Sequence, residues 1–561
     1  MKITKAYQSL EMAPIRYAAT VILPGTVVTL VLMMAFLAYA GLPVYFDYVM
    51  FSIPAFVFTF LVVYPLIRYE REEGQIDQEM HLFITRMGIL SLSEIAGKNM
   101  FYILEEMREY GRLAVEVNKV YNLVQNLKIN LSEACEEVAK STPSEGLADF
   151  LNRLAHAIET GEDPREFFRK EQEVVMDQYA IKYEGSLTDL GLMNEVFVAV
   201  MVLATLIVTM FLIVPMLVDL PMPPIGLLIL SVFLFSIIEG TFLFAYWIVL
   251  PRERVWQKSD IPTNVNKQII RWFLISFVGC DIVAIMLVIL HFSGINPPLS
   301  LSIALVITPL LISGYKAMVE ENNIKRKEDR YPAFMRSLGI STAAKGGVTR
   351  EGLSKLRYHN FGHLTSHIND LYKRLAMRVD EVRSWKYFNA EVGSDLISKF
   401  SEMYVRGTQA GAKPKDASGI VSTNFIKMLQ LRKKRYQASR TLVYLLYGVT
   451  VTIAVSVFLT IFTVDWVRDF ALHTPYTPGM GFVASIPVLS NPELFDIPGL
   501  YIMGIVLLII NAFICATIIR IANAGHSVNF LLHFVGLVWT GAIISMGVEV
   551  AMKALRAMGG G

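Results

Sequence analysis

Cysteine is scarce in this chain: 561 residues hold three, Cys135, Cys280 and Cys515, far apart and with no C-x-x-C pair. That excludes a disulfide framework and a cysteine zinc site. Enzyme signatures are missing as well. There is no G-x-S-x-G, no H-E-x-x-H and no G-x-G-x-x-G between a strand and a helix. Gly97-Lys98-Asn99 looks like the end of a phosphate loop, but Leu92 stands where the loop needs glycine and Asn99 where it needs Ser or Thr. No catalytic residue, cofactor or metal is expected, and any ATP hydrolysis must come from another protein. Charge is the third scarcity, at 18% of residues against 54% hydrophobic and a mean hydropathy of +0.47. The formal net charge is only +2. An apolar excess concentrated in long runs marks a polytopic membrane protein.

Nine segments are long and apolar enough to span: 17–40, 49–67, 196–218, 225–250, 272–292, 299–315, 442–464, 500–519 and 530–551. The first has no small-residue cleavage site and reads as a retained helix. Lys and Arg are absent from the connections 41–48, 219–224 and 293–298, and 465–499 carries only Arg468. The 251–271 connection carries Arg252, Arg254, Lys258, Lys267 and Arg271, and the amino terminus Lys2, Lys5 and Arg16. This places the amino terminus and residues 68–193 and 316–441 in the cytoplasm. Only Lys553 and Arg556, after the ninth span, run against the rule. The expected domains are an amino-terminal hairpin (1–67), a helical domain (68–193), four spans (194–315), a second helical domain (316–441), and three spans with an outer loop at 465–499 (442–561).

The two aqueous stretches repeat. Phe83, Gly88 and Ile89 return as Phe334, Gly339 and Ile340. Tyr110-Gly111-Arg112-Leu113 returns as Phe361-Gly362-His363-Leu364, and Gly161-Glu162-Asp163-Pro164 as Gly411-Ala412-Lys413-Pro414. The offset is 251 residues and slips by one before the last match. A fixed offset over some eighty residues reads as a parallel tandem duplication. Both copies are expected to be all-helical: Leu113, Val117, Val120, Tyr121, Val124 and Leu127 follow a helical period, and nothing alternates as a strand does. Gly161 followed by Asp163-Pro164-Arg165-Glu166 reads as a left-handed helix stop and then a cap with proline at N1. Thr142-Pro143-Ser144-Glu145 reads as a second such start, with Thr142 as cap.

Four groups of side chains are candidates for function. His359, His363 and His367 share an i, i+4, i+8 spacing, but Phe361-Gly362 inside the run reads as a helix corner that separates them. Glu239 and Asp281 sit about 15 Å deep in spans joined by a short loop. They read either as a proton or cation path or as a hydrogen-bonded link between the halves. Charge is also asymmetric: residues 68–193 hold 14 Lys/Arg against 24 Asp/Glu, while 316–441 hold 25 against 12. The basic excess includes Lys325, Arg326, Lys327 and Arg330, expected to dock a partner, and Arg432, Lys433, Lys434 and Arg435, expected to dock a partner or anchor to anionic lipid. No motif accompanies this charge that would fit nucleic acid.

The paired helical domains with G-x-x-P-x-acid, set between membrane helices, together with Tyr110-Gly111-x-Leu113 and Phe361-Gly362-x-Leu364, resemble the type II secretion F-domain family, archaeal branch. The resemblance covers nearly the whole chain. It implies a non-enzymatic platform at the base of an archaellum, with a hexameric secretion ATPase, filament subunits (archaellin or pilin), other archaellum motor components and membrane lipids as partners, and a homodimer as the assembly. It offers no catalytic residue to carry over; Gly88, Gly111, Gly161, Pro164, Gly339, Gly362, Gly411 and Pro414 read as packing positions. An adhesive-pilus or secretion platform is the related alternative. An ion-coupled transporter using Glu239 and Asp281 is the alternative of another class.

Overall fold

The computed structural model describes residues 14–30, 44–93, 110–220, 223–251, 253–257, 261, 264–294, 297–473 and 486–559. Among them every regular element is helical, as the sequence patterns require; an isolated bridge between Trp256 and Ser394 is the sole β pairing. Gly97-Lys98-Asn99, part of the first expected span and much of the 465–499 loop lie outside the described residues. The chain divides into two compact units, Met1–Tyr179 with Arg406–Ile420, and Ala180–Val405 with Val421–Gly561.

The first unit contains α1 (Val44–Ser91), α2 (Gly111–Asn126), α3 (Leu131–Ser141), α4 (Glu145–Thr160) and the start of α5 (Pro164–Leu217). Phe83 of α1, Phe150 of α4, and Phe167 and Phe168 of α5 form its aromatic centre, with Phe83 edge-on to Tyr110 at 6.5 Å. Local signals set the corners. Gly161 closes α4 at φ +68°, two residues on the Asp163 carboxylate accepts the Arg165 amide at 3.0 Å, and Pro164 opens α5. The cap of α4 is Ser144, not Thr142: Ser144 Oγ accepts the Leu147 amide at 3.0 Å and also bonds Asp77 of α1. Thr142 ends α3 in extended backbone. Burial pushes the Cys135 thiol up to about 12, so it stays protonated and inert.

The second unit holds the rest of α5, then α6 (Pro224–Val249), α7 (Asn264–Phe292), α8 (Leu299–Ile307), α9 (Leu310–Ala344), α10 (Thr349–Leu356), α11 (Thr365–Ala376), α12 (Glu381–Val392) and most of α13 (Asp395–Gln409). The greater part of α14 (Pro414–His473), α15 (Ile497–Asn523) and α16 (Phe530–Gly559) complete it. Six described helices are long and apolar enough to cross a membrane, and α8 with α9, bent by 45°, makes a seventh if the pair is one span. These match the last seven expected spans, and the protein is a multi-pass membrane protein. Near the end of α16 Arg556 pairs with Asp465 and Lys553 with Glu549, each at 2.6 Å, so both cations that run against the charge rule have acid partners. α5, α6, α14, α15 and α16 pack through an apolar core that runs from Phe197 and Leu228 to Ile453, Val457, Leu507 and Leu537.

Several features of the first unit have counterparts 250 or 251 residues on. Gly111 and Gly362 have φ of +52° and +60°, Gly161 and Gly411 of +68° and +96°, and Lys128 and Arg378 of +57° and +58°. Phe334 meets Phe361 edge-on at 5.6 Å. Ser394 accepts the Ile397 amide at 3.2 Å and bonds Glu328 at 2.6 Å, as Ser144 does with Leu147 and Asp77. Pro414 opens α14 as Pro164 opens α5.

Candidate functional site

Helical period sorts the basic residues of α9. Arg326 and Arg330, four apart, lie on its exposed face. Lys327 is turned inward, buried, and donates to the Val392 carbonyl at 3.1 Å, so it belongs to the interior and not to a docking surface. Lys325 is half-buried between the Glu321 carboxylate (2.9 Å) and the Tyr436 ring (3.9 Å to its centroid).

The run at 432–435 divides in the same way. Arg432 and Arg435, three apart, are buried at 3% and 2% exposure, so neither docks a partner nor reaches a lipid surface. The reason is the period of α14: i and i+3 share a face, and here that face packs inward. Arg432 bonds Glu328 at 2.7 Å, Glu253 at 3.2 Å and the Arg254 carbonyl at 3.0 Å. Arg435 donates to the carbonyls of Ile521 and Ala522 at the end of α15 and to that of Pro251 just after α6, at 2.8 to 2.9 Å. Lys433 and Lys434 point outward and pair with Asp329 (2.9 Å) and Glu184 (2.6 Å). The exposed basic face thus consists of Arg326, Arg330, Lys433 and Lys434. Beside it, Asp329, Pro332, Arg336, Ser422, Ile426 and Lys433 line a groove of about 530 Å³ between α9 and α14.

In the membrane part Glu239 and Asp281 are not a pair. α6 packs chiefly on α15, whereas α7 packs on α8 and α9. Asp281 is exposed on α7. Glu239 is fully buried, and its partner is the Asn511 side-chain amide, not a backbone group or a second carboxyl. Asn511 in turn accepts from Thr450 at 2.9 Å, so one polar chain ties α6, α15 and α14 together. The three histidines are divided among elements: His359 precedes the corner, His363 lies on a 3-10 turn and His367 on α11. No metal-ligand cluster occurs among the described residues. Burial, and to a lesser degree the nearby Lys327, bring His367 down to about 4, against the upward pull of Asp370.

The packing positions sit at close approaches and corners. A side chain at Gly88 would meet Gln172, Gly339 is buried in α9, and Gly111, Gly161, Gly362 and Gly411 occupy left-handed backbone.

Residues 83–215 match the family described as Type II secretion system (T2SS), protein F. Over 542 residues the chain is 34% identical to the flagella accessory protein J of Methanocaldococcus jannaschii, covering 95% of this chain and 94% of that one. Over 528 residues it is 33% identical to the flagella accessory protein J of Methanococcus voltae, covering 91% and 92%. The chain belongs to the flagella accessory protein J family. No solved structure matches it.

Proposed function

We propose that the chain is the membrane platform of an archaellum, coupling a cytoplasmic hexameric secretion ATPase to the assembly of filament subunits and to rotation of the filament. The observation that carries this reading is near full-length similarity to two flagella accessory proteins, combined with a membrane body and exposed basic residues. The platform acts without enzymatic activity of its own, as a homodimer with its two helical domains in the cytoplasm. Those domains, 68–193 and 316–441, are tandem copies; the paired left-handed positions and the repeated serine cap bonded to an acid on the preceding helix support this. The motor docks on Arg326, Arg330, Lys433 and Lys434, which stand free of the interior.

Removing the gene should abolish filaments while the ATPase and filament subunits are still made. Restored wild-type protein should recover them, and an Arg326→Glu/Arg330→Glu protein that folds and reaches the membrane should not. Filaments of normal number and motility without the chain would overturn the proposal. Loss of an adhesive pilus, with the archaellum intact, would assign the chain to a pilus platform. The transporter alternative loses support because Glu239 and Asp281 lie on separate packing faces.

A further inference from the structure

A groove of about 1270 Å³ opens where α6 and α15 reach the edge of the membrane. Gly240, Leu243, Phe244 and Trp247 form one stripe of α6, and Thr517, Arg520 and Ile521 one stripe of α15, with Ala524 just past its end. The first repeats at helical spacing over seven residues and the second over four, so the two walls run together for about 6 Å into the apolar layer. Phe244 and Trp247 stack at 6.0 Å and are 45% and 38% exposed, leaving an aromatic wall bare. At the rim stand Arg254 and Arg520, both exposed, and among the described residues neither side chain has an ion pair. The other charges facing the groove are already engaged: Glu253 by Arg432 at 3.2 Å, and Arg435 by three backbone carbonyls. His526, near Arg520, turns its Nδ1 to the Val528 amide at 3.2 Å and its ring to Trp256.

We infer that this groove binds one anionic phospholipid, its phosphate between Arg254 and Arg520 and the head of one chain along Phe244 and Trp247. A cationic rim over an apolar, aromatic trough matches the two halves of such a lipid. An arginine pair also gives the planar, multi-donor geometry that phosphate oxygens accept. A free anion would use the rim alone, and a zwitterionic lipid would bring its own cation against it.

The full-length protein, purified in a neutral detergent, would be titrated with phosphatidylglycerol and with phosphatidylcholine, and bound lipid counted by native mass spectrometry. One phosphatidylglycerol should be retained in clear preference to phosphatidylcholine. Arg254→Gln/Arg520→Gln should weaken it roughly 30-fold, since each arginine near an anionic surface contributes about a fivefold factor. Gly240→Leu, which fills the trough at an open position, should weaken lipid binding and leave the rim intact. Equal retention of the two lipids would overturn the inference. So would unchanged binding in the arginine variant, or full displacement by glycerol phosphate at concentrations comparable to the lipid, which would mean an anion site without a lipid trough.

Discussion

Replacing Arg432 by methionine removes the cation that holds two carboxylates inside the second unit. Glu328 is 1% exposed and bonds both Arg432 at 2.7 Å and Ser394 at 2.6 Å; Glu253 lies 3.2 Å from the same guanidinium. Breaking a buried pair from one side strands the remaining charge, a loss of about 3–5 kcal/mol. For a unit of this size that lowers an apparent melting temperature by about 4–6 °C, at roughly 1.3 °C per kcal/mol. The assay is thermal unfolding of the full chain in detergent, followed by intrinsic fluorescence. A triple variant, Arg432→Met with Glu328→Gln and Glu253→Gln, removes the charges together and should recover most of the loss, because a neutral replacement leaves nothing unpaired. The surface change Lys433→Glu should move melting by less than about 2 °C, since exposed pairs are worth about 0–1 kcal/mol. An Arg432→Met protein that melts with the wild type, or a triple variant no better than the single one, would refute the clamp.

Other outcomes follow from the same geometry. Asn511→Leu strands the buried Glu239 and should destabilise by about 1–3 kcal/mol in chemical unfolding, whereas Asn511→Leu with Glu239→Leu should be nearly neutral. His367 is folded as the neutral imidazole with its pKa near 4. Its contribution is therefore whole above about pH 6.5 and is lost as pH falls towards 4. Melting of the wild type should drop over that window by more than melting of His367→Gln does. Gly411 stands at φ +96° between α13 and α14, and Gly411→Ala should cost at least about 1 kcal/mol, read as earlier unfolding in denaturant.

Much of this architecture was legible in sequence because its signals are local. Long apolar runs located the last seven spans, and Gly161, Asp163 and Pro164 marked a corner that forms as their chemistry dictates. Before α4, Thr142 and Ser144 are both good caps by sequence, and only the Asp77 contact from α1 favours the second. Charge clusters misled for the same reason. A run of four cations counts as one patch in sequence, yet the period of α14 sends Arg432 and Arg435 inward and Lys433 and Lys434 outward. That period was readable; the acids waiting inside, Glu253 and Glu328 from distant segments, were not. Glu239 stands out in sequence as a carboxylate within a span, but its partner comes from α15, 272 residues away, and not from the neighbouring span in sequence.

A motor that docks on the exposed basic residues of α9 and α14 must feel their charge. The direct measurement is binding of the hexameric secretion ATPase to the full chain in nanodiscs across a salt series, with wild type beside Arg326→Glu/Arg330→Glu. Affinity should fall steeply between low and physiological salt, where screening shortens to about 8 Å. The double reversal, at matched melting temperature, should remove most of the binding at low salt. Binding that ignores both salt and the charge reversal would contradict the account, and would move the motor contact off this face.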